Sequence, residues 1–152
     1  GSQGNELEAL VANAELVGDF EVIDKRYEEL ADGIIQTVFT FATITPIKGS
    51  LASIQEIRIP GGEVAGRGLF IPGMPRLEVG DRHILFLSSK DEYKNWRVPV
   101  GLGSGAFRVL RDARGRRTVA RAKADNGDPY ELQDHGDFVA KVIGEVARQR
   151  TR

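Results

Sequence analysis

The segment RHILFL, Arg82 to Leu87, constrains the fold of this chain more than any other. Extended, it carries Ile84 and Phe86 on one face and Leu85 and Leu87 on the other, and a strand apolar on both faces has to be covered on both. One cover is the interior of a sheet or barrel, and the other has to be a helix. Two segments suit that second role. NELEALVANAEL sets Leu7, Leu10, Val11 and Ala14 at helical spacing with Asn5 available as a cap. DHGDFVAKVIGEVARQR aligns Phe138, Val139, Val142, Ile143 and Val146 in one stripe behind Asp134 or Asp137, with Arg148, Arg150 and Arg152 near the negative pole of the helix dipole.

Most of the chain between these helices has the pattern of strands and turns. LVGDFEVI, from Leu16, alternates so that Leu16, Gly18, Phe20 and Val22 share a face, and the charged DKRYEELADG after it reads as a solvated connection. IIQTVFTFATITPIKG is the clearest long strand, dense in β-branched and aromatic residues and ended by Pro46 and Lys48-Gly49, with SIQEIRI as its antiparallel neighbour. In VPVGLGSGAFRVL, Gly101, Gly103 and Gly105 predict a sharply bent strand. Arg114-Gly115 and Asn126-Gly127 then mark two hairpin turns.

With 152 residues, 41% hydrophobic and 28% charged, the chain is sized for one domain, read as 5–150, with 1–4 as a tag remnant or disordered N-terminus. No run approaches the roughly 18 apolar residues of a membrane helix. The absence of cysteine excludes disulfide frameworks, thiolate metal sites and cysteine nucleophiles. The opening GSQGNELE, without an initiator Met, predicts a tag joined to a trimmed start, and hence a periplasmic or extracellular protein. Net charge is −1, but unevenly spread: Asn5 to Asp32 carries nine acids against Lys25 and Arg26, whereas Arg108 to Lys123 carries seven bases against Asp112. Opposite segments of this kind are expected to lie where their fields compensate.

IPGGEVAGRGLFIPGMP, Ile59 to Pro75, packs five glycines and three prolines around one short apolar run. A phosphate-binding loop would feed a helix and carry GK[ST]; here the prolines forbid the helix, and the segment reads as turns around a short glycine-weakened strand, EVAGRGLFI. GLGSG lacks the third glycine and following helix of a dinucleotide fingerprint, and ADNGD lacks the alternating oxygens of a calcium loop. The two histidines stand about 50 residues apart without ligand spacing, so no metal is expected; His83 reads as a barrel-rim residue and His135 as part of a capping group with Asp134 and Asp137. No GxSxG occurs. No catalytic residue and no cofactor are expected.

The order of features, a strand ending in TPIKG, one ending in IPGG, then GDRHILFL and a bent VGLGSGAFRV, resembles small exported bacterial domains of unassigned activity. Over Leu16 to Leu110 it is also similar to the OB-type barrel of tissue inhibitors of metalloproteinases and netrin modules. The resemblance implies a mainly-β, OB-like Greek-key barrel with the N- and C-terminal helices packed outside, and a non-enzymatic binding or inhibitory role toward another extracytoplasmic protein. Those inhibitors use an N-terminal disulfide-held cysteine that this chain lacks, so none of its residues inherits that zinc-blocking role. A nucleic-acid-binding OB domain and a hydrolase with an unrecognised site are the alternatives. The partner surface is expected on the loops around Pro60–Pro75 and Asp91–Arg97: Gly61 and Gly62 for close backbone approach, Met74 as an adaptable apolar contact, and Trp96 with Arg67 and Arg97 as hot-spot residue types.

Overall fold

The computed structural model describes residues 2–121 and 132–151. The protein is mainly β, with one helix at each end. Helix α1 (Ser2–Asn13) is followed by two long strands, β1 (Leu16–Glu29) and β2 (Ile35–Lys48), then β3 (Ile54–Pro60). A small hairpin, β4 (Gly62–Val64) and β5 (Arg67–Leu69), precedes β6 (Arg82–Leu87), β7 (Ala106–Arg111), β8 (Arg117–Arg121), β9 (Gln133–Asp134) and helix α2 (His135–Arg150). Asn5 lies inside α1 rather than at its cap. The end of α1 is capped from the sheet, where Lys48 Nζ donates to the carbonyls of Val11 and Ala14, both at 2.7 Å.

The main sheet has the order β3-β2-β1-β6-β7-β8-β9, antiparallel throughout. β1, β2 and β3 form a meander, and β6 returns to the other edge of β1 to start a second one. Among the described residues neither terminal strand, β3 or β9, has a further regular strand beside it, and the ladders do not close into a barrel. Three register shifts in β1, at Val17/Gly18, Asp19/Phe20 and Val22/Asp24, bend the sheet. Ile57 and Ile59 of β3 consequently share an apolar cluster with Leu85 and Leu87 of β6, three strands away.

RHILFL is central, as its two apolar faces require. Ile84 and Phe86 pack with Leu10, Val11, Phe138 and Val142 under both helices, while Leu85 and Leu87 pack with Phe20 and Phe41 on the other face. Phe107 lies between these helices and the sheet, its ring centroid 4.7 Å from that of Phe138. Asp134 caps α2, accepting from the Asp137 N–H at 3.0 Å. Of the expected stripe, Phe138, Val142 and Val146 are buried, whereas Ile143 is half-exposed.

Several expectations are corrected. β1 does not end at Ile23 but runs on through DKRYEE, because Ile35–Thr40 of β2 supplies it with a ladder. EVAGRGLFI is a hairpin, turned at Ala65 and Gly66 (φ 52° and 77°), not one strand. The glycines of LGSG sit in a 3-10 turn, Leu102–Gly105, and a Cβ on Gly105 would lie 2.5 Å from the Val100 carbonyl oxygen. The expected Arg114-Gly115 turn joins β7 to β8, with Gly115 at φ 79°. Asn126-Gly127 and the ADNGD segment lie outside the described residues. The acidic and basic segments meet where Arg121 pairs with Glu6.

Candidate functional site

A cleft of about 530 Å³ opens where β1, β2 and β3 extend beyond the end of β6. Its floor is sheet: Phe39, Thr37 and Ile59 face into it, and the Phe39 ring stacks on Phe41 with centroids 5.6 Å apart. One end is the β4–β5 hairpin. The other wall is the segment from Phe70 to Glu78, which contributes Ile71, Met74 and Leu77. Lys25 and Tyr27 of β1 complete the rim.

The glycine pair makes this geometry possible. Gly61 and Gly62 carry the chain off β3 and across β2 at φ 105° and 141°, conformations that side chains disfavour. The Gly61 N–H donates to the Ile35 carbonyl at 2.9 Å, and its own carbonyl accepts from Thr37 Oγ1 at 2.7 Å. A Cβ on Gly62 would lie 2.7 Å from the Tyr27 ring and 2.9 Å from Thr37 Oγ1. Both backbones therefore reach the cleft because they are glycines. Gly68 differs: a Cβ there would meet nothing nearer than the Gly62 carbonyl oxygen at 3.8 Å.

The rim is charged and, apart from Glu63, internally paired. Lys25 Nζ lies 2.8 Å from Glu78 Oε2, and Arg76 Nε 2.9 Å from Glu78 Oε1. Hydrogen bonds from Lys25 and then Arg76 hold the Glu78 carboxyl below its usual range. Burial alone would lower the Lys25 ammonium, but its bond to Glu78 and the neighbouring Tyr27 raise it on balance. Above the cleft stands Phe70, 79% exposed.

Of the residues expected at a binding surface, Gly61, Gly62 and Met74 share this cleft. Arg67 is beside it, on β5, and is paired with Glu29. Trp96 and Arg97 are elsewhere. The Trp96 indole N–H donates at 2.9 Å to Gln36 Oε1, and Gln36 points to the face of β2 opposite Thr37. Arg97 is bound to the Ser88 carbonyl at 3.0 Å and Glu15 at 3.1 Å, with only 11% of its side chain exposed. Trp96 is not a cleft residue; it fastens the chain after β6 to the outside of β2. The sequence reading missed Lys25, Tyr27, Phe70 and Leu77. The signal was the period-two placement of Lys25, Tyr27 and Glu29, masked by their polarity.

No protein-family model matches the chain, and no curated protein matches it. Among the described residues no group of three or more His, Asp or Glu is placed to hold a metal ion, and no helix is long and apolar enough to cross a membrane.

The two histidines occupy different chemistry from that expected. His83 is wholly buried rather than at a rim; its Nε2 is 3.6 Å from Asp81 Oδ2, too far for a hydrogen bond, and burial pushes its pKa down to about 4. His135 places Nε2 2.7 Å from Oδ2 of Asp19, a fully buried carboxylate also held by Arg82 at 3.0 and 2.8 Å. This Asp19–Arg82–His135 cluster joins the start of α2 to β1 and β6. Both carboxylate oxygens of Asp19 are engaged, Oδ1 by Arg82 and Oδ2 by Arg82 and His135.

Proposed function

We propose that this protein is a non-enzymatic binding module that takes a segment of another protein in the cleft between β1–β3 and the β4–β5 hairpin. The observation carrying the reading is a cleft of about 530 Å³ with Phe39 and Ile59 on its floor and Phe70 79% exposed beside it. That volume is in the range of ligand sites, and an apolar floor with a charged, self-paired rim is the usual arrangement of one. The resemblance to exported domains supports an extracytoplasmic partner.

An OB-like architecture is part of the same proposal. It is supported by the segment Trp96–Val100, whose backbone bonds reach two strands. The Arg97 N–H donates to the Arg58 carbonyl of β3 at 3.0 Å in a parallel bridge, while Ser88 N–H donates to Val98 and Val100 N–H to Phe86 of β6, both at 2.8 Å. Taken as a fifth, irregular strand, this segment gives the cyclic order β1-β2-β3-(96–100)-β6 of an OB barrel.

Gly68→Leu tests the site, because Gly68 lines the cleft and has room for a side chain. The variant is expected to melt with the wild type while losing crosslinked capture of partner proteins from an extracytoplasmic fraction. Unchanged capture would place the interface elsewhere. Salt-dependent binding of labelled oligonucleotides would favour the nucleic-acid alternative.

A further inference from the structure

β1 changes neighbours half-way along its length. From Val17 to Glu21 it is paired with β2 on one side and β6 on the other, and Val22 still exchanges backbone bonds with Asp81 and Gly80 at 2.9 and 2.8 Å. Beyond Val22 only β2 remains. Leu30 donates to the Ile34 carbonyl at 2.8 Å, and stepping back by two residues from that pair gives Glu28–Gln36, Arg26–Val38 and Asp24–Thr40 as the pairs bonded to β2. The residues between them, Lys25, Tyr27 and Glu29, direct N–H and C=O away from β2. Among the described residues none of these backbone groups has a partner.

This open edge coincides with the cleft, since Lys25 and Tyr27 also line it. Of the usual means of blunting an edge, proline is absent from Ile23–Glu29, the register shift lies at its start, between Val22 and Asp24, and the charge of Lys25 is tied to Glu78, while Tyr27 is 45% exposed.

We infer that an extended peptide segment of the partner protein adds to this edge as a strand in line with β6, placing an apolar side chain in the cleft. The inference rests on the cleft being a protein-binding site and specifies how the partner is held. Donors and acceptors repeating every second residue, roughly 6.8 Å apart, match another backbone and not a compact small molecule. Charge defines the segment further. The three rim cations, Lys25, Arg67 and Arg76, are balanced by three acids, Glu29, Glu63 and Glu78, so the rim has no net charge to recruit an acidic or a basic sequence. The matching segment is uncharged, with an apolar residue at every second position.

The experiment uses the full chain and a panel of end-blocked heptapeptides alternating Thr with Val, Leu or Phe, followed by NMR. In the free protein the amides of Lys25, Tyr27 and Glu29 are expected to exchange with solvent faster than those of Asp24, Arg26 and Glu28. A bound peptide should slow the first three by about ten-fold or more while shifting the methyl signals of Ile59, Ile71, Met74 and Leu77. Tyr27→Pro removes an edge N–H and leaves the β2 ladder intact, so it should bind about ten-fold more weakly than Tyr27→Ala, which keeps that N–H. Methyl shifts without amide protection would leave the cleft as a binding site and overturn strand addition. Failure of every peptide to bind at millimolar concentration, while Gly68→Leu still abolishes partner capture, would overturn it in the same way. Protection of the three amides that grows with protein concentration alone would make the occupant a second copy of the chain, and would overturn the partner segment.

Discussion

The two halves of β1 belong to one strand and face opposite demands. Leu16 to Val22 lies between two strands with helices over one face, and all but Glu21 are buried. Ile23 to Glu29 has one neighbour and no buried residue. The first half illustrates how burial dictates residue type: Gly18 is small because the Phe20 ring folds back over it, with a Cβ there only 2.5 Å from the ring tip. The second half illustrates the reverse. Apart from Ile23, its residues are charged or amphipathic because water and the cleft are their neighbours, and a backbone edge is left there.

The sharpest separation of the halves should come from truncating their aromatic residues. Phe20→Ala removes a fully buried ring that lies 5.2 Å from Phe41 and is expected to cost about 4 kcal/mol. Tyr27→Ala, in the open half, should cost about 0.5 kcal/mol or less. Urea unfolding of both variants checks this; equal losses would mean that the second half is as essential to folding as the first.

A somewhat smaller contrast is expected from the ion pairs. Asp19→Ala strands Arg82 and His135 beside a lost carboxylate and should destabilise by about 3 kcal/mol. Lys25→Ala breaks the pair with Glu78, whose side chain is 45% exposed, and should cost no more than about 1 kcal/mol. A loss from Lys25→Ala matching that from Asp19→Ala would remove the distinction.

The smallest of the three effects depends on pH. His83, paired across the ladder with Phe20, is lowered by burial to about 4 from an ordinary value of 6.5. Between these values the unfolded chain binds the proton and the folded one does not. Stability is therefore full above about pH 6.5 and declines as pH falls toward 4, by about 2 to 3 kcal/mol from this group. His83→Leu should flatten that decline, measured as melting temperature against pH. An unchanged slope would assign acid sensitivity to other groups.

Much of the fold was legible because it follows from side-chain periodicity. RHILFL required covers on both faces, the stripe on Phe138, Val142 and Val146 provided one, and the β-branched run from Ile35 specified a long strand. The site was less legible. Gly61, Gly62 and Met74 were found through turn chemistry and residue type, but Lys25 and Tyr27 carry no apolar signal, and Trp96 and Arg97 belong to another surface.

The sequence by itself determined both helices, the cores of the long strands and which of their faces are apolar, since these are properties of residues two to four positions apart; the extension of β1 through DKRYEE was not among them. Only the tertiary structure decided that β6 stops at Arg82 while β1 runs on to Glu29, that Gly62 passes over Tyr27, and that Asp19, Arg82 and His135 meet. The physical reason is that strand ends and ladder partners are set by contacts between residues distant in the chain: an unpaired N–H at Tyr27 has the same local sequence as a paired one.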